Sequence, residues 1–297
     1  MNGPCTAVGA LATPTRKRSP TFLLLQRLSR RRFVVAGLLL LALVVGLAIF
    51  APWTAPYSPQ RMQVAIRLKP PSFGHLLGTD EFGRDVLSRM IHGVRLSLLV
   101  GVLVVVVASI AGTALGLAAG YVRRLDGPLM RLTDAMMAFP DILLAIALMA
   151  GLGPGLFNVV VALGIVYTPR IARIVRAVTL VLRELQFVDA AVALGATRMR
   201  IVLEHLLPNL ISPVVVQATF VFAYAILTEA ALSFLGVGIP PTVPSWGNMI
   251  ASAQQAMHQA PWLILAPGIA IALTVVSLQV VGDGLRDALD PRLRRAV

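Results

Sequence analysis

Apolar residues in this chain come in long blocks, with polar residues gathered into short segments between them. Blocks over 33–50, 96–119, 132–149, 156–171, 213–234 and 261–281 approach the roughly 20 residues that a helix needs to cross about 30 Å of hydrocarbon. The pattern predicts an all-α, polytopic membrane protein with six transmembrane helices. Three kinds of feature depart from smooth apolar helix. Gly112, Gly116 and Gly120 stand four apart, a spacing that either permits close helix packing or is simply tolerated. Pro140, inside the third block, removes a backbone donor and predicts a kink. Asp134, Asp141 and Glu229 put carboxylates in or beside apolar helices, where they require water, a partner or the bundle interior. For Asp141 the options are contact with a translocated solute, an interfacial position or a structural hydrogen bond.

The polar segments divide the chain into a tail over 1–32, a first span over 33–50, a proline-broken loop over 51–92, a membrane core over 93–281 and a second tail over 282–297. Within the core, 121–131 reads as a short turn. Segment 182–209 reads as a two-part amphipathic hairpin broken at Gly195, with Val188, Ala191 and Val192 before it and Met199, Val202, Leu203 and Leu206 after it. Such a hairpin needs either the membrane surface or a soluble partner to cover its apolar stripe.

Composition then narrows the class. With 57% hydrophobic and 13% charged residues and a mean hydropathy of +0.83, an ordinary soluble enzyme is excluded. The net charge of +13 does not indicate nucleic acid, because no basic stripe is interleaved with aromatics; membrane lipids fit it better. Arg16, Lys17, Arg18, Arg27 and Arg30 to Arg32 precede the first block without a small-residue cleavage site, which predicts a retained span. Placing both termini in the cytoplasm puts 20 of the 26 Lys and Arg residues on that side, the hairpin included. Arg170, Arg173 and Arg176 read as a basic ridge where the fourth span leaves the lipid. The single cysteine, Cys5, rules out an internal disulfide.

Candidate chemistry is sparse. His75, His92, His205 and His258 show no metal-ligand spacing, and no phosphate loop, HExxH or GxSxG motif occurs. No catalytic or metal-binding residue is expected, and any ATP and magnesium belong to other chains. A hairpin between two spans suits mechanical work, with Glu184 and Asp189 on one side of Gly195 and Arg198 and Arg200 on the other.

Asp189-Ala190-Ala191, Gly195, Ile201 and Leu207-Pro208-Asn209 resemble the EAA loop of binding-protein-dependent importer permeases, with Asp189 where a glutamate is usual. Further matching stretches are Leu77 to Asp80, Gly83 to Arg89, Arg131 with Asp134, Ala138-Phe139-Pro140, Glu229 to Gly236, Pro244 to Gly247, Gly282-Asp283 and Leu285-Arg286-Asp287 through Asp290-Pro291-Arg292. Together they resemble the C-type permease subunit of bacterial dipeptide, oligopeptide and nickel ATP-binding-cassette importers.

The resemblance implies a type I importer permease fold in the bacterial cytoplasmic membrane. It also implies a homologous B-type permease partner, two ATP-binding subunits and an extracytoplasmic solute-binding protein. Glu184, Asp189, Ala190, Ala191, Gly195, Ile201, Leu207 and Pro208 would couple to an ATPase. Phe139, Pro140, Asp141 and Glu229 are candidates for the pore or gate. Asp80, Arg84, Asp85 and Trp246 are candidates for the binding-protein face, although an internal salt-bridge lattice is the favoured reading for Asp80, Arg84, Asp85 and Arg89. Import of short peptides is the leading expectation; the same machinery importing nickel or glutathione is the alternative. A non-transporting membrane scaffold and an ion-driven secondary transporter are the readings from other classes.

Overall fold

Five of the six apolar blocks fold as single long helices in the computed structural model, which describes residues 31–289; the third does not. The basic residues of 1–30 and the Asp290-Pro291-Arg292 stretch lie outside the described residues. Among those described, the structure is helical, with one isolated bridge between Thr79 and Asp85.

The first helix, α1, spans Arg32–Ile49 and is followed by a single turn, α2, over Ala51–Thr54. Helix α3 runs over Val86–Tyr121, 36 residues. It begins ten residues before its apolar block because the Asp85 carboxylate accepts the Ser88 backbone N–H at 2.8 Å and caps it. Helix α6 spans Leu156–Leu182 and continues well past the predicted end at 171. The hairpin consists of α7 over Gln186–Ala193 and α8 over Arg198–Arg200. A π turn over Ile201–Leu206 joins α8 to α9, Leu207–Phe234. Beyond a short outer helix, α10, over Trp246–Ala253, the chain returns as α11 over Trp262–Leu289.

The third block corrects two expectations. Residues 121–131 are no turn: Gly127 and Pro128 lie inside helix α4, Arg123–Met137. Leu125, Leu129, Leu132 and Met136 share one face of it, a helical period that outweighs the two turn-formers. The Pro140 site is no mere kink but a full break between two helices. Helix α5, Asp141–Leu152, leaves α4 at 95°, since Pro140 supplies no N–H and its ring bars Phe139 from helical geometry. With this bent pair counted as one span there are six. The Arg31 guanidinium pairs with the Asp287 carboxylate, so the two ends of the described chain meet on one face, as an even number requires.

The core is the seam between α3 and α6, where Val100, Val104 and Ala108 pack among Val159, Leu163, Val166, Ile171 and Val175. Gly112, Gly116 and Gly120 make it possible. A Cβ at these positions would lie 2.7 Å from Ile171 Cβ, 2.5 Å from the Ala172 carbonyl oxygen and 2.7 Å from Thr179 Cβ. The glycine row is therefore a packing surface, and the two backbones approach because nothing projects between them.

Candidate functional site

Three polar regions stand on this frame: a hairpin at one end, an arginine–aspartate ladder along α6, and a buried network at the other end.

The hairpin is a braced structure. Gly195 has φ +81°, and Ala196 and Gly195 donate to the carbonyls of Ala191 and Val192 at 3.0 and 2.9 Å. This is a Schellman ending, which glycine adopts without the strain a side chain would bring. Thr197 caps the next helix. Val188, Ala191, Ile201 and Leu206 are buried against Leu117 and Tyr121 at the end of α3. Arg183 donates from Nη1 to the Gly120 carbonyl at 2.9 Å, fastening the hairpin's root to the same end.

The predicted single stripe is divided between two faces. Val188, Ala191 and Leu206 point inward, whereas Val192, Leu194, Met199 and Leu203 lie outward, Leu194 89% and Met199 67% exposed. The inward face is already covered, so the outward one is a second apolar surface on a fixed base. Among the proposed coupling residues, Asp189, Ala190, Gly195 and Pro208 are exposed and Ile201 is buried. Glu184 is exposed and pairs with Arg183 at 2.9 Å, while Leu207 opens α9 beside Pro208.

The arginines of α6 do not form a free basic ridge. Arg176 grips Asp126 through Nε and Nη2 at 2.5 and 2.7 Å, Arg173 donates to Asp134 at 2.6 Å, and Arg170 pairs with Asp141. The three pairs rivet α4 and the start of α5 along α6, which is why α6 stays helical through three positive charges. The sequence contained a signal for this: arginines three apart facing aspartates 126, 134 and 141, eight and seven apart, along α4 and the start of α5. Nothing local said that these helices were neighbours.

The third pair lines a cavity. The cavity has a volume of about 670 Å³ and lies where the α4–α5 break meets α6 and α9; Phe139, Pro140, Asp141, Tyr167, Arg170 and Tyr224 are among its walls. The Arg170 guanidinium lies 4.8 Å from the Tyr224 ring centroid and 5.6 Å from that of Tyr167, and the Tyr167 hydroxyl shares a hydrogen bond of 2.7 Å with Thr228. Phe139, Pro140 and Asp141 thus share one cavity. Glu229 does not join them. It is fully buried nearer the end of α9, taking hydrogen bonds from Ser233 at 2.9 Å and Ser97 at 3.4 Å. It ties α9 to α3 and is not a wall of an open path. Tyr167, Tyr224 and Arg170 were not singled out for such a site, since tyrosines in an apolar block and an arginine near its end look like interfacial residues.

At the opposite end, Asp80, Arg84, Asp85 and Arg89 form the internal lattice and not an outward docking face. Asp80 Oδ1 accepts from the backbone of Phe82 and Arg84 at 2.9 and 2.8 Å, and its Oδ2 takes Arg84 Nε at 2.6 Å, with Arg89 at 3.6 Å. Asp85 holds Ser88 and also His75, at 2.9 Å. Trp246 is likewise interior, 3% exposed and donating to the Met90 carbonyl at 3.3 Å. These groups shape the loop from within and leave its outer surface to other residues.

Comparison with known proteins agrees with this architecture. Residues 111–295 match the family described as binding-protein-dependent transport system inner membrane component, and residues 19–71 match the N-terminal TM domain of oligopeptide transport permease C. The chain belongs to the binding-protein-dependent inner membrane component family, and is therefore a multi-pass membrane component of a transport system that works with ATPase and substrate-binding partners. A provisionally named peptide transport system permease of Brucella suis biovar 1 is 49% identical over 96% of both chains. The di/tripeptide transport system permease DppC of Pseudomonas aeruginosa is 46% identical over 91% of this chain and 92% of its own. The glutathione transport system permease GsiD of Pectobacterium atrosepticum is 42% identical over 91% and 90%. Among solved structures, an inward-facing form of the MetNI methionine ABC transporter superposes with a TM-score of 0.55, covering 71% of this chain and 96% of that one at 21% identity. The fold is thus that of an ABC importer permease.

Proposed function

We propose that this chain is a pore-forming permease subunit of an ATP-driven importer that moves short peptides across the bacterial cytoplasmic membrane, with both termini and the hairpin cytoplasmic. It would pair with a homologous permease, two ATP-binding subunits that carry ATP and magnesium, and an extracytoplasmic solute-binding protein. The chain itself would bind no nucleotide and catalyse no reaction. The observation that carries this reading is the hairpin's outward apolar face, mounted on a base clamped to α3: a partner gripping it moves the membrane helices with it. The identities to peptide permeases supply the solute class. In mechanism, ATP binding would draw the ATPases together, shift the hairpins and switch the pore between its two accessible states. Glutathione, itself a peptide with free amino and carboxylate groups, is a second reading, favoured by the 42% identity to a glutathione permease. The test is reconstitution of the complete assembly in liposomes with each binding-protein cargo. Uptake of dipeptide coupled to ATP hydrolysis is expected, and its absence for every peptide offered would overturn the proposal.

A further inference from the structure

The α4–α5 break places an arginine–aspartate pair where neither a lipid-facing nor a purely structural role accounts for its surroundings. Arg170 is 14 residues into α6 and 12 from its end, roughly 20 Å from either terminus at about 1.5 Å per residue. The pair sits midway along a helix long and apolar enough to cross a membrane, and its side chains, 29% and 32% exposed, face an open cavity of about 670 Å³. Charges on a membrane-spanning helix are sustained only beside water or protein, so a cavity walled by this pair suits a wet passage and not a lipid-facing surface. Its volume is within the range of small-molecule sites. Two tyrosine rings flank the guanidinium and hold its plane.

We propose that Arg170 and Asp141 form a subsite that receives the charged ends of a peptide on its way through the pore; this rests on the peptide-permease reading. Arg170 takes the terminal carboxylate, for which a guanidinium held against an aromatic face is suited. Asp141, which occupies that position at rest, turns to the terminal ammonium. A dipeptide's ends are about 7 Å apart when extended, so the resting pair opens as the peptide enters, and one ion pair becomes two. No charge is stranded during the exchange, and the resting pair competes with the cargo, which keeps retention weak enough for release. Tyr224 and Phe139 offer contact to varied side chains without selecting among them. A bare metal cation would meet Arg170 as a like charge.

The experiment uses the complete assembly in liposomes and a dipeptide with a diazirine-bearing side chain, delivered by the native binding protein. Uptake by the wild-type assembly is measured first: failure there strikes the peptide reading itself. Irradiation during turnover is then expected to label residues 137–142 or 224–231. Arg170→Gln and Asp141→Asn should each reduce that labelling at least fivefold. Arg173→Gln breaks a neighbouring rung that does not line the cavity and should leave the labelling within twofold. Labels mapping elsewhere in a transporting wild type, or an equal loss in Arg170→Gln and Arg173→Gln, would overturn the subsite. Should Arg170→Gln fail to assemble, the wild-type label map decides alone.

Discussion

Gly116 gives the sharpest test of the packing argument. A Cβ added there would lie 2.5 Å from the Ala172 carbonyl oxygen and 2.6 Å from Val175 Cβ. Unstrained carbon contacts begin near 3.5 Å, so α3 and α6 would have to part by about 1 Å. Overpacking of this kind costs about 1–3 kcal/mol. The comparison is Gly46 in α1, where an added Cβ meets nothing within 4 Å. Replacing either glycine by alanine brings the same gain in helix propensity, about 0.5–1 kcal/mol. That gain cancels between the two variants, leaving the clash alone. Gly116→Ala should therefore be less stable than Gly46→Ala by about 1–3 kcal/mol, or several degrees in Tm, in thermal unfolding of the purified chain in detergent. Equal midpoints for the two variants would refute the account of the α3–α6 seam.

Three further outcomes are expected. Asp80→Ala leaves buried Arg89 and half-buried Arg84 without their counter-ion. A loss of about 3–5 kcal/mol should appear as rapid protease cleavage in the 60–85 loop while the membrane helices stay protected. Gly195→Val forces a branched side chain into a φ of +81°, at about 1–3 kcal/mol. Peptide-stimulated ATP hydrolysis should fall severalfold, with the unfolding midpoint of the membrane core little changed. Arg176→Ala frees one end of α4 and should raise hydrogen exchange across 123–137 without altering exchange in α3.

The membrane class, the long helices and the hairpin's turn were legible because each depends on local chemistry: hydrophobic run length, caps and a glycine at a positive φ. What escaped depends on neighbours. Helix α4 was hidden because Gly127 and Pro128 resemble a turn until Arg173 and Arg176 are seen to hold Asp134 and Asp126. The same pairings turned a supposed lipid-edge ridge into a ladder. Glu229, Asp80 and Trp246 were recognisable as unusual, but whether each faced a path, a partner or the interior was decided by Ser97, Arg89 and Met90, distant in sequence. The hairpin's periodicity was visible, yet its division into a covered and an uncovered face required the end of α3.

The central claim is that the uncovered face seats an ATPase and transmits its motion. The direct measurement is peptide-stimulated ATP hydrolysis by the complete assembly in liposomes, with Leu194→Asp and Met199→Asp combined in the hairpin. Both side chains are outward, 89% and 67% exposed, and neither is part of the buried base, so folding and the thermal midpoint should be preserved. Burial of each apolar side chain against a partner contributes about 1.5–3 kcal/mol, so association should weaken by roughly a hundredfold or more. The account predicts that peptide no longer stimulates hydrolysis and that the ATPases fail to co-purify. Full stimulation with intact co-purification would contradict it.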